Sequence, residues 1–402
     1  MMPRNSLAAF PNKKIQQDQA IDLVMQLLAI PGGSGQEAQV MQFIKDQLRQ
    51  VGCPASAIRH DCAHKASPLG GEVGNLIVKL RGTRRGPRRL FAAHTDTVPI
   101  CVGTKPLRKG DIIQSGVPGK GLGADDRSGV AAILYAACEL LRRKLPHPPL
   151  TFAFMVQEEA GVIGARLLDV PMLGKPTMAF NFDGSGSNKL FIGATGSHHL
   201  SVTIEGIPAH AGVRPQEGVS AITLAANAIA ELHAEGWLGL VEKGNQRGAV
   251  NVGTIDGGSA NNVVAPTARL TVGIRSHSTT FRNRLLKRVK TAFERSARQL
   301  RNAQGGRGSV SFQDTLAYES FRLKQTEPTV QMARSAMRQA TGQPVELGVL
   351  NGGLDANWLT QHGIPTVTIS TGQHKNHTAD EYLDLHAYTA CCETALHLAT
   401  QV

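Results

Sequence analysis

Apolar and polar residues alternate in two different patterns along the chain, and the change between them divides the sequence. Up to about residue 195, short apolar runs such as "RLFAAHT" and "LTFAFMVQ" alternate with stretches that have helical spacing. The same arrangement returns after residue 318. Strands that alternate with helices are typical of a mostly parallel, doubly wound α/β sheet.

Between these two stretches the predicted elements follow a different order. Residues 196–318 contain strand-like and helix-like segments in the order β-α-β-β-α-β, with helices near 216–235 and 279–303. This order is typical of a ferredoxin-like α+β unit. We therefore predict a large α/β domain made of residues 1–195 and 319–402, into which an α+β domain of residues 196–318 is inserted.

Two helices are predicted near the start of the chain. Helical spacing covers residues 14–30, and a second helix is predicted to begin at Ser34. Ser34 and Glu37 have the spacing of a capping box, in which each side chain bonds a free backbone N–H group of the first turn.

Composition favours an ordinary globular protein in the cytoplasm. Of 402 residues, 41% are hydrophobic and 18% are charged. The first twenty residues lack an apolar core of signal-peptide length, and no apolar run is long enough to span a membrane. The six cysteines show neither a CxxC pair nor zinc-finger spacing, so we expect reduced, mostly buried thiols.

The basic charge of the chain raises the possibility of an anionic partner. Lys and Arg exceed Asp and Glu by 43 − 31 = 12, and the densest basic run is Arg81 to Arg89. This run lies between two strand-like segments and contains no aromatic residues. We interpret it as a solvated hairpin loop, and we predict neither a nucleic-acid partner nor a membrane partner.

Histidines and carboxylates are concentrated in five segments that follow an apolar run or flank a predicted helix. They are His94 and Asp96 in "FAAHTDTVP", Asp125 and Asp126 in "GLGADDRSG", Glu158 and Glu159 in "VQEEAG", Asp183 in "NFDGSG", and His374 and His377 in "TGQHKNHTADE". In open α/β sheets, sites form in the crevice at the carboxyl ends of the strands. These five segments can therefore converge.

The adjacent residues Glu158 and Glu159 end an apolar run that reads as a buried strand. An unpaired buried carboxylate is costly, so this pair belongs at the strand end. Two histidines with several carboxylates and no nearby thiolate suit zinc, cobalt or manganese. One carboxylate too many for a single ion favours two ions, with one glutamate as a ligand and the other free as a general base.

Each of these residues also has an ordinary structural explanation when it is taken alone. Asp125 and Asp126 could simply begin a helix, Asp183 before a glycine could belong to a turn, and His94 could be a hydrogen-bonded core residue. The alternative to a metal site is that all five segments carry suitable ligands by accident.

Eight motifs in order resemble those of a known family. They are "HTDTVP", "GADDRSG", "QEEAGVIGA", "NFDG", "PAHAGVRPQEGVSAI", "GGSANNVVAP", "GGLDAN" and "HTADE". The chain is similar to the co-catalytic zinc peptidase and amidohydrolase family that includes peptidase T, carboxypeptidase G, aminoacylase and succinyl-diaminopimelate desuccinylase. The resemblance is to its peptidase T-like branch and spans nearly the whole chain.

The resemblance implies a role for each residue of the site. It implies that His94 and Asp183 bind one ion, that Glu159 and His377 bind the other, that Asp125 bridges the two ions, that Glu158 is the general base, and that Asp96 fixes the His94 imidazole. It further implies that His210 stabilises the oxyanion, coming from the partner subunit in dimeric members, and that Asn262 and Arg275 bind the substrate. For Asn262, the adjacent Asn261 is the alternative.

The activity implied by the resemblance is two-metal hydrolysis of amide bonds in short peptides, most simply by a di- or tripeptide aminopeptidase. The cofactors would be two divalent metal ions, zinc being the first choice and cobalt or manganese the alternatives. A homodimer formed through the inserted domain is also implied. The alternatives are an N-acyl-amino-acid deacylase or a carboxypeptidase with the same metals, or a catalytically inactive relative that serves as a binding protein.

Overall fold

The computed structural model describes residues 15–401 and contains two compact units. Among the described residues, the large unit comprises 15–193, Arg322–Val349 and 354–401. The small unit comprises Ala194–Phe321 and Leu350–Gly353. The sequence analysis placed Leu350–Gly353 in the large domain, whereas the structure places them in the small unit.

The large unit is built on a twelve-stranded mixed sheet. Its strands are β1 Ile58–His60, β2 Leu76–Leu80, β3 Arg89–His94, β4 Pro106–Lys109, β5 Ile112–Ser115, β6 Leu150–Met155, β7 Met178–Ser185, β8 Lys189–Ala194, β14 Phe321–Arg322, β15 Glu346–Leu350, β16 Thr366–His374 and β17 Tyr382–Asp384. The main order is β1-β2-β6-β3-β7-β16-β17-β5-β4. Strand β8 also pairs with β16, and β14 and β15 pair with β8. The four central strands, β6, β3, β7 and β16, run parallel, and the strands of the main order that flank them are antiparallel.

Helices cover both faces of this sheet. They are α1 Gln17–Ala29, α2 Ala38–Gln50, α3 Ala63–Ala66, α4 Ala124–Arg142, α5 Ile163–Arg166, α8 Pro328–Thr341, α9 Asp355–Gln361 and α10 Leu385–Thr400. Phe91 and Ala93 of β3 pack in the core cluster that includes α1, α4 and α10, whereas Leu90 and Ala92 pack in a second cluster that includes Leu359 of α9. The predicted doubly wound α/β class is therefore confirmed.

The small unit contains one five-stranded antiparallel sheet and two helices. Its elements are β9 Gly196–Glu205, α6 Ala221–Ala234, β10 Gly239–Lys243, β11 Gln246–Gly257, β12 Thr267–Ser276, α7 Thr279–Gln299 and β13 Ser309–Tyr318, and the sheet order is β10-β11-β12-β9-β13. Apart from β10, this is the element order predicted from the sequence. The analysis missed β10, a short strand that forms a hairpin with β11.

Strands of the small unit bury only one side. In β9, Leu200, Val202 and Ile204 are buried in the core cluster of the unit, whereas Ser201 and Glu205 are exposed. An antiparallel sheet with helices on one face shows this alternation, while parallel strands covered on both faces do not.

Two local predictions were wrong. Helix α2 begins at Ala38, and the Ser34 hydroxyl bonds Asp96 instead of capping the helix. The basic run is not a hairpin, because β2 and β3 lie on opposite sides of β6. The prediction that the run is solvated holds for Arg81, Arg84 and Arg85, which are exposed.

Cysteine and membrane predictions can be compared with the described residues. All six cysteines are free thiols, and all except Cys62 are buried. Among residues 15–401, no helix combines the length and the apolar character needed to cross a membrane. The signal-peptide prediction concerns the first twenty residues, of which residues 1–14 lie outside the described part of the chain.

Candidate metal centre

The predicted metal-binding residues come from different elements of the large unit and meet at the carboxyl ends of its central strands. His94 is the last residue of β3, and Asp183 lies near the end of β7. Glu159 follows β6, His377 follows β16, and Asp125 is in the first turn of α4. Since β6, β3, β7 and β16 run parallel, these ends share one edge of the sheet, where α/β proteins place their sites.

Asp125 lies between the two histidines and directs one oxygen toward each. Its Oδ1 is 3.2 Å from His94 Nε2, and its Oδ2 is 3.2 Å from His377 Nε2. A carboxylate that bridges two ions must present its two oxygens to two separate ligand groups, and Asp125 has this arrangement.

Each histidine has a second carboxylate as a neighbour. His94 Nε2 is 3.7 Å from Asp183 Oδ1, and His377 Nε2 is 3.0 Å from Glu159 Oε1. The five side chains therefore form two groups, each with one histidine and one terminal carboxylate, that share Asp125. The structure brings together all five residues for which the sequence predicted metal binding.

Donor chemistry at this cluster fits divalent metal ions. Ligand atoms of His94, Asp125 and Glu159 lie within 4.8 Å of one another, and so do those of His94, Asp126 and Asp183. Imidazole nitrogen and carboxylate oxygen, without a thiolate, suit zinc, cobalt and manganese. The residues present can therefore hold the ions that the sequence analysis predicted.

The pKa values of the cluster also indicate an excess of negative charge. Burial would lower the pKa of His94, but the neighbouring carboxylates of Asp125, Asp183 and Asp96 raise it well above its usual value. Hydrogen bonds to Asp125 and Glu159 raise the pKa of His377 to about 10. Burial, followed by repulsion from Asp125, raises the pKa of Asp183 to about 6. Divalent ions would relieve this repulsion between acids.

The adjacent glutamates have different surroundings. Glu159 contacts His377, whereas the Glu158 carboxylate makes no hydrogen bond to any side chain or backbone group among the described residues. Burial, more than its charged neighbours, raises the pKa of Glu158 well above its usual value. Such a carboxylate is free to exchange a proton with a molecule bound beside it.

Asp96 supports the centre from behind His94. His94 Nδ1 lies 3.2 Å from the Asp96 main-chain oxygen and 3.3 Å from Asp96 Oδ1, so Nε2 of the same ring faces Asp125. The backbone N–H groups of Glu158 and Glu159 donate to Oδ1 and Oδ2 of Asp96 at 3.0 and 3.1 Å. Burial opposes ionisation, but the His94 ring and the other donors lower the pKa of Asp96, which keeps it an anion.

Asp126 and Glu381 also contact the cluster, and the sequence analysis gave them no role in the site. Asp126 Oδ1 accepts from Gly129 N, as a helix N-cap does, and its Oδ2 accepts from His94 N. Glu381 Oε1 accepts from Asp125 N at 3.1 Å, and Oε2 accepts from Leu122 N and Gly123 N. The adjacency of Asp126 to Asp125 and the motif "HTADE" were the signals that could have identified them.

Asn376 and Asp355 were also missed. Asn376 Nδ2 donates to Asp125 Oδ2 at 2.9 Å. Asp355, at the start of α9, is fully buried, and among the described residues neither of its oxygens has a hydrogen-bond partner. Burial, with repulsion from Asp183 and Asp96, raises the pKa of Asp355 to about 8. Only its place in "GGLDAN" distinguished it in the sequence.

The three predicted substrate-binding residues lie in the small unit, at two separate places. His210 and Asn262 belong to two loops that pair with each other. Ala211 N donates to Asn262 O, and His210 forms an isolated antiparallel β-bridge with Val263. These loops lie beyond the start of β12, whereas Arg275 is exposed near its end. Eight residues of extended strand separate Thr267 from Arg275, a distance of roughly 26 Å. The structure therefore does not bring Arg275 together with His210 and Asn262 within one small unit.

His210 has a defined ring orientation. Gly212 N donates to His210 Nδ1 at 3.2 Å. Nδ1 is therefore an acceptor, and in the neutral ring the proton is carried by Nε2. This tautomer leaves an exposed N–H group that can donate to an oxygen.

The doubly wound sheet and the paired ligand groups place the chain in a known class of enzymes. Residues 90–401 match the family described as Peptidase family M20/M25/M40. The chain belongs to this family. The resemblance predicted from the eight motifs is confirmed, and so is the prediction that the protein is a hydrolase of the metallopeptidase and amidohydrolase class.

Individual relatives match the chain over nearly its full length. YqjE of Bacillus subtilis is 29% identical over 380 residues, which is 94% of this chain and 97% of that protein. The crystal structure of aminopeptidase PepT from Bacillus cereus has a TM-score of 0.83 at 28% identity and matches 96% of this chain and 98% of its own. A tripeptidase from Staphylococcus aureus has a TM-score of 0.84 at 27% identity over the same shares.

Proposed function

We propose that the protein is a two-metal exopeptidase that hydrolyses amide bonds in short peptides, with di- and tripeptides that have a free N-terminus as its substrates. The observation that carries this proposal is the position of Asp125, whose two oxygens each lie 3.2 Å from a different histidine. The similarity to a PepT aminopeptidase and to a tripeptidase supports the substrate class.

The metal ligands in this proposal are His94 and Asp183 for one ion, Glu159 and His377 for the other, and Asp125 for both. The ions are zinc, with cobalt or manganese as replacements. When bound, two such ions lower the pKa of a water molecule toward neutrality and polarise the scissile carbonyl. Asp96 holds the His94 ring so that Nε2 faces Asp125.

Glu158 carries the proton in this proposal. Its carboxylate has no protein partner among the described residues, and its burial favours proton uptake. Glu158 takes a proton from the attacking water and gives it to the departing amine. His210 stabilises the oxyanion through its Nε2–H, while Asn262 and Arg275 bind the substrate. Arg275 suits a carboxylate because its guanidinium can donate two parallel hydrogen bonds.

Glu158→Gln tests the proposed base with the smallest change in shape. We expect kcat to fall about 10²–10⁴-fold because the general base is lost, while the bound metal content stays at the wild-type value. Metal content is measured by elemental analysis, and turnover is measured on a panel of di-, tri- and N-acetylated peptides with zinc, cobalt and manganese supplied separately.

Exposed Glu242, which pairs with exposed Arg247, provides a matched control, since Glu242→Gln is the same change outside the cluster and should leave turnover on the panel unchanged. Full activity of Glu158→Gln would contradict the base assignment. Faster hydrolysis of acetylated than of free peptides would instead favour the deacylase alternative.

In this proposal the protein acts as a homodimer, and the roughly 26 Å between Arg275 and the start of β12, near the loops of His210 and Asn262, supports a site that two copies share. His210 and Asn262 then serve the partner's site, while Arg275 serves its own. His210→Ala and Arg275→Ala should each be inactive, but a mixture refolded or exchanged together should regain about a quarter of wild-type activity. An inactive mixture in which mixed dimers are demonstrated by mass would rule out this sharing.

A further inference from the structure

The turn between α1 and α2 contacts the metal centre at two points, although its residues lie far from the ligands along the chain. Its residues are Ser34, Gly35, Gln36 and Glu37, hereafter the 34–37 turn. The turn follows Gly32 and Gly33, which are attached to the segment after β3. Thr97 N donates to Gly32 O at 3.1 Å, and Gly33 forms a parallel bridge with Thr97.

Ser34 makes the first contact, with Asp96. The Ser34 hydroxyl donates to Asp96 Oδ2 at 2.6 Å. The other donors to this carboxylate are the His94 ring and the N–H groups of Glu158 and Glu159. Within the described part of the chain, Ser34 is therefore the donor to Asp96 that comes from outside the ligand-bearing segments. A hydroxyl that bonds a buried anion helps to keep it charged and fixed in position.

Glu37 makes the second contact, with the segment that carries both glutamates. It is fully buried, and its Oε1 accepts from Gln157 N at 3.0 Å and from Gly35 N at 2.8 Å. Gln157 has a φ of +54°, an uncommon conformation for a residue other than glycine, and it directly precedes Glu158. The bond from Glu37 therefore holds the backbone at the point where the chain turns away from β6.

We propose that Ser34 and Glu37 are positioning residues of the metal centre. Ser34 fixes the Asp96 carboxylate, which in turn fixes the His94 imidazole. Glu37 fixes the backbone that places Glu158 and Glu159. Groups that orient metal ligands through a hydrogen bond change metal affinity and activity about 10–100-fold when they are removed. The inference rests on the proposed two-metal function and adds two residues to it.

Ser34→Ala tests the first contact, and Gln36→Ala is its matched control. Gln36 belongs to the same turn, is exposed, and its side chain makes no hydrogen bond among the described residues. We expect Ser34→Ala to bind Zn²⁺ about 10–100-fold more weakly than wild type in competition with a chromophoric chelator, and to lower kcat far more than it raises KM. Ser34→Thr retains a hydroxyl and should recover most of both quantities.

Glu37→Ala and Glu37→Gln test the second contact. Gln retains an acceptor oxygen for Gln157 N, so Glu37→Gln should stay within a few-fold of wild type in Zn²⁺ affinity and kcat. Glu37→Ala should lose both to a similar extent as Ser34→Ala. Should Glu37→Ala fail to fold, Ser34→Ala and its threonine counterpart still decide the outcome.

The outcomes separate this inference from the proposed function. A wild-type protein that binds no metal and shows no metal-dependent hydrolysis overturns both. A metal-dependent wild-type enzyme whose Ser34→Ala variant keeps full Zn²⁺ affinity and kcat overturns the inference alone. A variant that only lowers the melting temperature of the metal-free protein, with unchanged Zn²⁺ affinity, assigns the turn a purely structural role and also overturns it.

Discussion

The large and small units treat buried charge in opposite ways. In the large unit, Asp126, Asp183 and Asp355 are buried close to one another, and burial raises the pKa of each of them. In the small unit, the buried guanidinium of Arg282 is neutralised by Glu319, with NH2 and Oε2 2.7 Å apart. The small unit thus balances its buried charge internally, whereas the large unit concentrates acids in excess.

This difference in buried charge indicates which unit would gain from binding a cation. Burial of an ionised carboxylate without a counter-charge is unfavourable, so a cluster of such groups lowers the stability of the protein when no cation is present. A paired buried charge carries no such demand. The excess of buried acids in the large unit therefore coincides with the candidate metal centre, and the paired charge of the small unit offers no such site among the described residues.

Asp355→Asn should give the largest effect on this comparison. Asp355 has a pKa of about 8 in the folded chain and 3.8 as its ordinary value. The folded state therefore holds an extra proton between these values, and wild-type stability falls as pH rises through this range. The free energy of unfolding of Asp355→Asn relative to wild type should rise with pH by up to about 1.4 kcal/mol per unit and level off above pH 8.

The measurement is urea unfolding of both proteins from pH 5 to 9 with a chelator present. Exposed Asp256→Asn controls for the removal of one carboxylate and should follow wild type. Zn²⁺ should reduce the difference between Asp355→Asn and wild type, because a nearby dication favours the carboxylate. If the difference in unfolding free energy between Asp355→Asn and wild type did not depend on pH, burial of Asp355 in the large unit would not destabilise its charged form.

Glu319→Gln should give a smaller effect with the opposite dependence on pH. Partial burial opposes ionisation of Glu319, but hydrogen bonds from Arg282 and Thr279 lower its pKa to about 2. The contribution of Glu319 to the free energy of unfolding is therefore present above its ordinary pKa of 4.5 and is lost as pH falls toward 2. We expect Glu319→Gln to lower the free energy of unfolding by about 2 kcal/mol at pH 7, less than for a fully buried pair because Glu319 is partly exposed.

Acid titration of unfolding for Glu319→Gln and wild type checks this prediction. The two should converge as pH falls below about 4, since wild type then loses the same charge. Exposed Glu242→Gln, from the weaker pair with Arg247, is the matched control and should change stability little. If Glu319→Gln were as stable as wild type at pH 7, the buried Arg282 would not depend on its partner and the contrast between the units would fail.

Much of the fold followed from the sequence because it depends on local pattern. The continuous apolar run of β3 predicted a strand covered on both sides, and its residues divide between two core clusters. Short and edge elements were less predictable. Strand β10 has only five residues and lies at the sheet edge, so few apolar contacts mark it in the sequence.

The sequence analysis identified side chains that the structure brings together, but it did not identify the residues that support them. The candidate metal ligands could be identified because they are histidines and acids at strand ends and because they match known motifs. They are His94, Asp125, Glu159, Asp183 and His377. Ser34 was interpreted as part of a capping box because that motif uses only neighbours in sequence. Its actual partner, Asp96, is 62 residues away.

The sequence by itself determined the class of fold, the family and the chemical types of the candidate metal ligands, because apolar periodicity and motif spacing are local properties of the chain. Only the tertiary structure decided that Glu159 contacts His377, that Asp125 directs one oxygen to each histidine, and that within residues 15–401 neither the Glu158 nor the Asp355 carboxylate has a hydrogen-bond partner. These features arise where segments distant in sequence meet. The direction of a side chain beyond a strand end is set by the surrounding packing, not by the repeat of the strand.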